Sequence, residues 1–582
     1  MDSHITPPVS TQIAVETRRF RPHYTMVMIG LTAAFLTLGA GRVSSDSASA
    51  KSEISFDNVT ASSGISYRGQ SWGANWADFN NDGRPDLWMS NHFGPATWYA
   101  NEGGGKFRDV TSASVVQQTA TCSTGCEKCV NPAKCANDTH GGAWADFDND
   151  GDKDLVVLSG AGPRSLWFPD RKFDRNLFFI NDGGIFRENP EVQNLVDRWH
   201  HGRTPIWVDI DNDGRLDLVS MAKSPSSESN SEKDAEQKDA ELPSTVFRQT
   251  DNGFEDIGEQ AGFGPFDASQ LPFAFLTDVA GRGSLQLVVK QQSLIVYDIS
   301  TLPFDDITDE VFPSGQTVDP VKVDTDAVAA DFNGDGLMDI YRTRIGSPGI
   351  MLINSASGLV DKTAESGLMD VGYGGKSVIA GDFDNDMDID LYVVYTTEVT
   401  NQPNRLYANN GDGTFQVVPN AGGAAGPRAL GRGDTAVNAD FDCDGFLDLF
   451  VTNGEWGLMG FRNSDGPYQL FRNRGNSNNW IQIDLVGTVS NRDGIGAIVS
   501  VEAGGKTQLR EQSGGMHTKA QNHTRLHFGL GANEVIDKIT VRWPNGVLQT
   551  LSGQIGNRII EISESEGESD ISGVVACHSP GA

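Results

Sequence analysis

ADFDNDGDKDLV, residues 145–156, sets Asp146, Asp148, Asp150 and Asp154 at positions 1, 3, 5 and 9 of a loop that turns on Gly151 at position 6 and runs into an apolar strand. Side chains at alternate positions of a tight loop converge, and glycine at position 6 leaves room for the sharp turn. Calcium accepts six to eight oxygens at roughly 2.3–2.6 Å, so three or four such side chains, a position-7 carbonyl and water would complete its shell; magnesium, which prefers octahedral geometry and keeps its water, suits the pattern less well. Five more copies follow the same register: Asp78, Asn80, Asp82 and Asp86; Asp209, Asp211, Asp213 and Asp217; Asp331, Asn333, Asp335 and Asp339; Asp382, Asp384, Asp386 and Asp390; Asp440, Asp442, Asp444 and Asp448. Asp, Asn and Gly crowd ordinary turns, but turn chemistry does not require an acid at position 9 before an apolar strand six times over. No bidentate Glu stands at position 12 and strand residues follow, so these are strand-to-strand loops rather than helix-loop-helix sites. About five or six calcium sites are expected, with Met387 in place of glycine weakening the one at Asp382.

The loops also explain the charge. Of 78 acidic residues against 45 Lys and Arg, 24 aspartates lie in the six loops; six divalent ions add twelve positive charges and would move the formal −33 to −21. Such a surface excludes nucleic acid and anionic membrane surfaces as partners. At the N-terminus, Arg18, Arg19 and Arg21 precede an apolar run from about Tyr24 to Ala40, and residues 1–50 read as a signal peptide or a retained signal anchor, so the body of the protein is exported and any membrane link runs through that segment. Cys122, Cys126, Cys129 and Cys135 read first as two local disulfides, with a zinc knot as the alternative; Cys443, at position 4 of the last loop, and Cys577 leave their pairing open.

A fainter repeat alternates with the loops: Phe56, Phe107, Phe186, Phe254, Phe304, Leu359 and Phe415 each open a short stretch that is acidic or β-branched. That makes seven against six. The missing loop lies in LPFAFLTDVAGRGSLQLVV (271–289), where Asp278 persists but Ala280, Arg282 and Gln286 occupy positions 3, 5 and 9. The seven loop starts are 51 to 69 residues apart, room for four short strands each, and repeats of that length with period-2 patterning predict a seven-bladed β-propeller over 53–475. Because the Phe strand occurs once before the first loop and never after the last, the N-terminal strand is expected to complete the seventh blade, removing an open edge. Residues 224–241 lack apolar periodicity and read as a solvated insertion. Beyond the propeller, Trp480–Leu485, Ala497–Val501 and Ile539–Trp543 alternate apolar and polar residues, which predicts a small β-sandwich-like domain over 476–562 followed by a loose acidic tail, 563–582.

The D-x-[DN]-x-D-G-x-x-D copies resemble FG-GAP or VCBS repeats of integrin α-like propellers. Asn479-Trp480, residues 490–497, His527–Gly531 and Val541–Gly546 resemble an ASPIC/UnbV domain. The combination is similar to the cartilage acidic protein-like family, and the resemblance implies extracellular calcium binding and matrix or surface interaction.

Other chemistry has few carriers. His517, His523 and His527 lie close in sequence but lack the acid or thiol that would complete a zinc set, and read as surface or turn histidines. Arg432-Gly433-Asp434 reads as the lead-in to a blade rather than an adhesion tripeptide. Trp72, Trp76, Trp88, Trp98, Trp144 and Trp207 read as blade packing, with a sugar-stacking platform as the alternative. No nucleophile elbow, phosphate loop or dinucleotide fingerprint is present. Two functions fit: an exported, calcium-stabilised binding or adhesion protein for an extracellular protein or glycan, or a calcium-dependent polysaccharide lyase or hydrolase, with the balance against an enzyme.

Overall fold

The computed structural model describes most of 54–577; the first 53 residues, the last five, the stretches 118–138, 160–175, 193–200, 224–243, 314–323 and 454–465 and several shorter connections lie outside the described residues. The targeting segment, the four-cysteine cluster and the whole of the solvated insertion fall there. The chain is almost entirely β, and no described helix is long and apolar enough to cross a membrane.

Seven antiparallel units of four strands follow one another. In unit one, Ser71–Ala77, Asp86–Asn91, Thr97–Gly103 and Lys106–Asp109 pair in order, and each metal-type loop joins the first strand of its unit to the second. Each first strand touches that of the next unit, and that of unit seven, Gly433–Ala439, touches Ser71–Ala77 again. The Phe repeats are the fourth strands, and Phe56–Asn58 pairs with Gln469–Asn473 as the fourth strand of unit seven, Phe56 opposite Asn473.

The two repeats meet in the joints between units. The Phe at loop position 2 wedges against the Phe of the next unit's fourth strand: Phe79 on Phe186 (5.8 Å between ring centroids), Phe147 on Phe254 (6.1 Å), Phe332 on Phe415 (5.8 Å), Phe383 on Phe56 (6.1 Å) and Phe441 on Phe107 (5.7 Å). Burying one such ring contributes about 1.5–3 kcal/mol. Trp76, Trp88, Trp98, Trp144 and Trp207 are buried in the same layers, which rules them out as a sugar platform; Trp72 lies against His140 and under the Lys519 ammonium. Gly433 and Asp434 begin an inner strand, as a blade lead-in should.

The C-terminal domain is a sandwich of a four-stranded sheet (Leu526–Gly531, Asn479–Val486, Arg558–Ser563, Gly573–Val574) and a five-stranded one (Lys506–Glu511, Ile498–Ala503, Val535–Arg542, Leu548–Ile555, Gly567–Glu568). The acidic tail is not loose up to residue 577. Glu564 accepts the backbone N–H groups of Thr488, Val489 and Ser490 at 2.7–2.8 Å, two short strands add to the sheets, and Cys577 is disulfide-bonded to Cys443. The acidity that suggested a solvated tail is spent in part on that clamp.

Deleting residues 1–65 removes the Phe56 strand and its wedge, and is expected to lower the melting temperature sharply by circular dichroism, whereas deleting 1–50 is expected to leave it unchanged. Equal melting of the two truncations would mean that the strand is not needed to close the ring.

Candidate metal centres beneath the C-terminal domain

All seven loops share one backbone. Position 6 is left-handed throughout, glycine in six loops and Met387 (φ 79°) in the other. Position 4 is left-handed too: Asn81, Asn149, Asn212, Asn385 and Cys443 have φ between 53° and 60°, and Gly281 and Gly334 take the remaining two places. Asparagine tolerates this region better than other side chains, a constraint that the sequence spells out at position 4 and that the reading of position 6 alone overlooked.

That backbone aims its N–H groups at the carboxylates. Asp78 accepts from Asp82 (3.0 Å) and Gly83 (2.7 Å), and Asp209, Asp331, Asp382 and Asp440 accept equivalently at 2.8–3.1 Å. Position 5 caps the position-7 N–H, as in Asp150 to Asp152 (2.9 Å) and Asp444 to Phe446 (3.1 Å). The ligand atoms of positions 1, 3 and 9 lie within 4.8 Å of one another in four loops: Asp146, Asp148 and Asp154; Asp209, Asp211 and Asp217; Asp382, Asp384 and Asp390; Asp440, Asp442 and Asp448. In the other two, Asn80 and Asn333 take position 3 between Asp78 and Asp86 and between Asp331 and Asp339. The position-5 acids Asp82, Asp150, Asp213, Asp335, Asp386 and Asp444 are outside these close sets. Met387 does not open its loop: the side chain is buried in the core of the C-terminal domain, and Asp382, Asp384 and Asp390 still converge.

The electrostatics call for a cation. Burial, then mutual repulsion, lifts Asp440 to about 7 and Asp146 to about 7; burial lifts Asp217 and Asp339 to about 7 and Asp154 to about 9 despite the backbone N–H groups they accept. Buried carboxylate oxygens of Asp146 (Oδ1), Asp154 (Oδ2) and Asp442 (Oδ1) have no hydrogen-bond partner among the described residues. Buried acceptors without donors, two of them in the Asp146 cluster and one in the Asp440 cluster, suit a hard divalent ion.

Unit four shows how the fold manages without one. Gln286 at position 9 accepts the Ala280 N–H on its Oε1 (2.9 Å) and donates its Nε2 amide to Asp278 (3.4 Å), and Arg282 at position 5 reaches out to Asp298 and to Glu310 (2.7 Å). Side-chain donors take the place of the ion, so the loop keeps its shape with one acid.

The C-terminal domain covers this face of the ring. A Cβ at Gly445 would meet the Trp480 indole at 1.8 Å, and one at Gly529 would stand 2.1 Å from Asp382 Oδ2. Gln482 Nε2 donates to Asp440 Oδ2 (2.7 Å), Arg492 reaches Asp146 Oδ2 (3.3 Å), Asp493 accepts Asp146 N (2.9 Å) and pairs with Lys153, and Lys506 pairs with Asp388. A hairpin, Met516–His517 and Ala520–Gln521, touches the inner strands of six units and hydrogen-bonds to four of them. Gln521 bonds Trp144 N (2.8 Å) and Asn75 (3.3 Å), Thr204 donates to the Thr518 carbonyl, and His517 Nδ1 meets Asp326 Oδ2 (2.9 Å). The histidines are therefore interface groups rather than surface ones; His527 faces the Gly445 carbonyl (3.1 Å), and no described histidine joins a metal-type cluster.

Seven four-stranded units with acid-lined loops, sealed by a β-sandwich, define a propeller of the FG-GAP class. Residues 78–157, 146–220, 331–393 and 382–451 match the FG-GAP-like repeat, and 487–569 match the ASPIC and UnbV domain, so the chain carries FG-GAP-like repeats followed by an ASPIC and UnbV domain. It is similar to cartilage acidic protein 1 of Mus musculus (31% identity over 268 residues, 43% of this chain and 38% of that protein) and of Homo sapiens (30% over 263 residues, 42% and 37%), so the match spans under two fifths of those relatives' own length. Among solved structures, BBS1N in complex with ARL6DN superposes over 72% of this chain and 97% of that one at 9% identity and a TM-score of 0.38.

Carboxyls with folded values near 7 bind protons that the unfolded chain, titrating near 4, has already released. Without metal, stability is therefore expected to fall as pH rises from about 4 to about 7. Melting of chelated protein between pH 4.5 and 7.5 checks this; a rise across that window would contradict the burial of these acids. Cys577→Ser is expected to cost about 2–4 kcal/mol of unfolding free energy under non-reducing conditions, measured by chemical denaturation.

Proposed function

We propose that this is an exported calcium-binding propeller protein that binds an extracellular or cell-surface protein or glycan, with calcium serving mainly as a structural ion. The observation that carries the reading is the convergence of carboxylate oxygens at positions 1, 3 and 9 in four loops, with buried oxygens of Asp146, Asp154 and Asp442 left without a hydrogen-bond partner among the described residues. The Cys443–Cys577 disulfide suits an oxidising compartment, as does the likeness to cartilage acidic protein 1. Positions 1, 3 and 9 would hold the ion, and position 5 would contribute the carboxylate oxygen that does not cap the turn. At an extracellular-type Kd near 10⁻⁴ M, about 1 mM calcium would add on the order of 1.4 kcal/mol per site.

The C-terminal domain occupies the loop face, so calcium acts at a domain interface, and a partner would meet the opposite strand ends or the rim. Titration calorimetry of chelated protein should show about five or six calcium ions and a large rise in melting temperature. Asp440→Asn should remove one ion and lower the calcium-loaded melting temperature by several degrees; no heat and no shift would refute the metal reading. A glycan array with a turnover screen of acidic polysaccharides tests the rest: binding without turnover is expected, and turnover abolished by replacing one acid outside the loops would make the protein a lyase or hydrolase.

A further inference from the structure

We propose that five of the six calcium loops are coupled in series through hydrogen-bond relays that run from a ligand of one loop to a ligand of the next, and that the loop at Asp209 stands outside the series; this rests on the calcium reading above. In each relay the position-2 residue donates its N–H to the position-9 carboxylate of its own loop, while its carbonyl accepts from an asparagine side chain on the third strand of the next unit. The same asparagine gives its backbone N–H to the position-9 carboxylate of that next loop. From Asp339, Phe332 N donates at 2.9 Å, Asn409 Nδ2 reaches the Phe332 carbonyl at 2.8 Å, and Asn409 N reaches Asp390 at 2.9 Å. Phe383 and Asn473 carry the path from Asp390 to Asp448 with bonds of 3.1, 2.7 and 2.7 Å. Phe441 and Asn101 carry it across the seam of the ring, from Asp448 to Asp86, at 3.0, 2.8 and 2.6 Å. Phe79 and Asn181 then lead from Asp86 to Asp154 at 3.2, 2.8 and 2.8 Å.

The path stops there. On the third strand of unit three stands Gln249, whose backbone N–H still serves Asp217 (2.7 Å), but no described bond joins its side chain to the Phe147 carbonyl. Unit four has Ile299 at the corresponding place, two residues beyond Tyr297 opposite Leu287, and its side chain has no donor to offer. A contact between loops two and three does remain, from Asn149 Nδ2 to the Gly214 carbonyl (3.0 Å), but neither of its ends is bonded to a position-9 ligand.

Because the position-9 carboxylate is both ligand and relay terminus, an ion that fixes it also fixes the position-2 peptide, and so orders the asparagine that holds the neighbouring ligand. The second ion then meets a loop whose ordering cost is already met. One hydrogen bond per joint corresponds to about a two- to tenfold gain in affinity for the neighbour. The asparagines are positioning residues, since they need not touch the ion.

The test is calcium titration calorimetry on the full chain, with melting of the chelated forms as control. Wild-type protein should bind more steeply than independent sites. Asn409→Asp with Asn473→Asp keeps the backbone donors but sets carboxylates against the Phe332 and Phe383 carbonyls; it should flatten the isotherm while leaving the number of ions unchanged. Should that variant fail to fold, Asn409→Asp alone decides: it breaks only the relay between Asp339 and Asp390 and should lower the steepness by one joint, two- to tenfold in affinity for one ion, with the number of ions unchanged. Full stoichiometry with unchanged steepness in either variant would overturn the relay while leaving calcium binding intact; absence of any calcium heat would overturn both.

Discussion

Clustered carboxylates in a dry place are the constraint around which this protein is organised. Each of the six loops packs three to five aspartates into twelve residues, and four of the loops bury two, at positions 1 and 9, close to a third. An isolated buried carboxylate either takes up a proton or finds a compensating charge. Backbone N–H groups, made available by two left-handed residues per turn, supply part of the compensation, and the clustered oxygens could take a divalent ion for the rest. Unit four solves the same problem by deleting the acids and importing Arg282 and Gln286, which shows that the loop conformation belongs to the blade rather than to the ion.

The ring is held by joints as much as by blades. Between neighbouring units the position-2 residue does two things at once: its ring fills the apolar layer while its backbone carries a polar bond. Metal site, core and inter-blade contact therefore share residues, so disturbing one disturbs the others. The C-terminal domain adds a further tie by setting Trp480, Gly529 and the 516–521 hairpin directly on the loop face and the inner strands, with Met387 projecting the other way into its core. Met387 stands in a conformation that favours glycine, and burial of its side chain offsets the backbone strain.

Much of this was legible in the sequence because it is local and repeated. Twelve-residue spacing revealed the loops, the Phe motif revealed the fourth strands, and the count of seven against six exposed both the degenerate unit and the exchange of the first strand. What stayed hidden depends on partners far along the chain. Asn101, Asn181, Asn409 and Asn473 do recur ahead of glycine-containing turns, a faint signal, but their role needs the preceding blade in place. Nothing local in EQSGGMHTKAQNHTR tells of a hairpin that enters a ring 191 to 446 residues upstream, and the Cys443–Cys577 pairing, 134 residues apart, could not be chosen from spacing. The tail misled because charge was read as solvation, whereas Glu564 is held by three backbone donors.

That disulfide also sets how the molecule carries load. It closes a covalent loop from the seventh blade to Cys577, and the sandwich lies wholly inside the loop. Tension applied to the chain beyond Cys577 passes through sulfur into the blade at Cys443 and skips the intervening 134-residue stretch. The sandwich is thus mechanically shielded, and a tether at that end would strain the ring first.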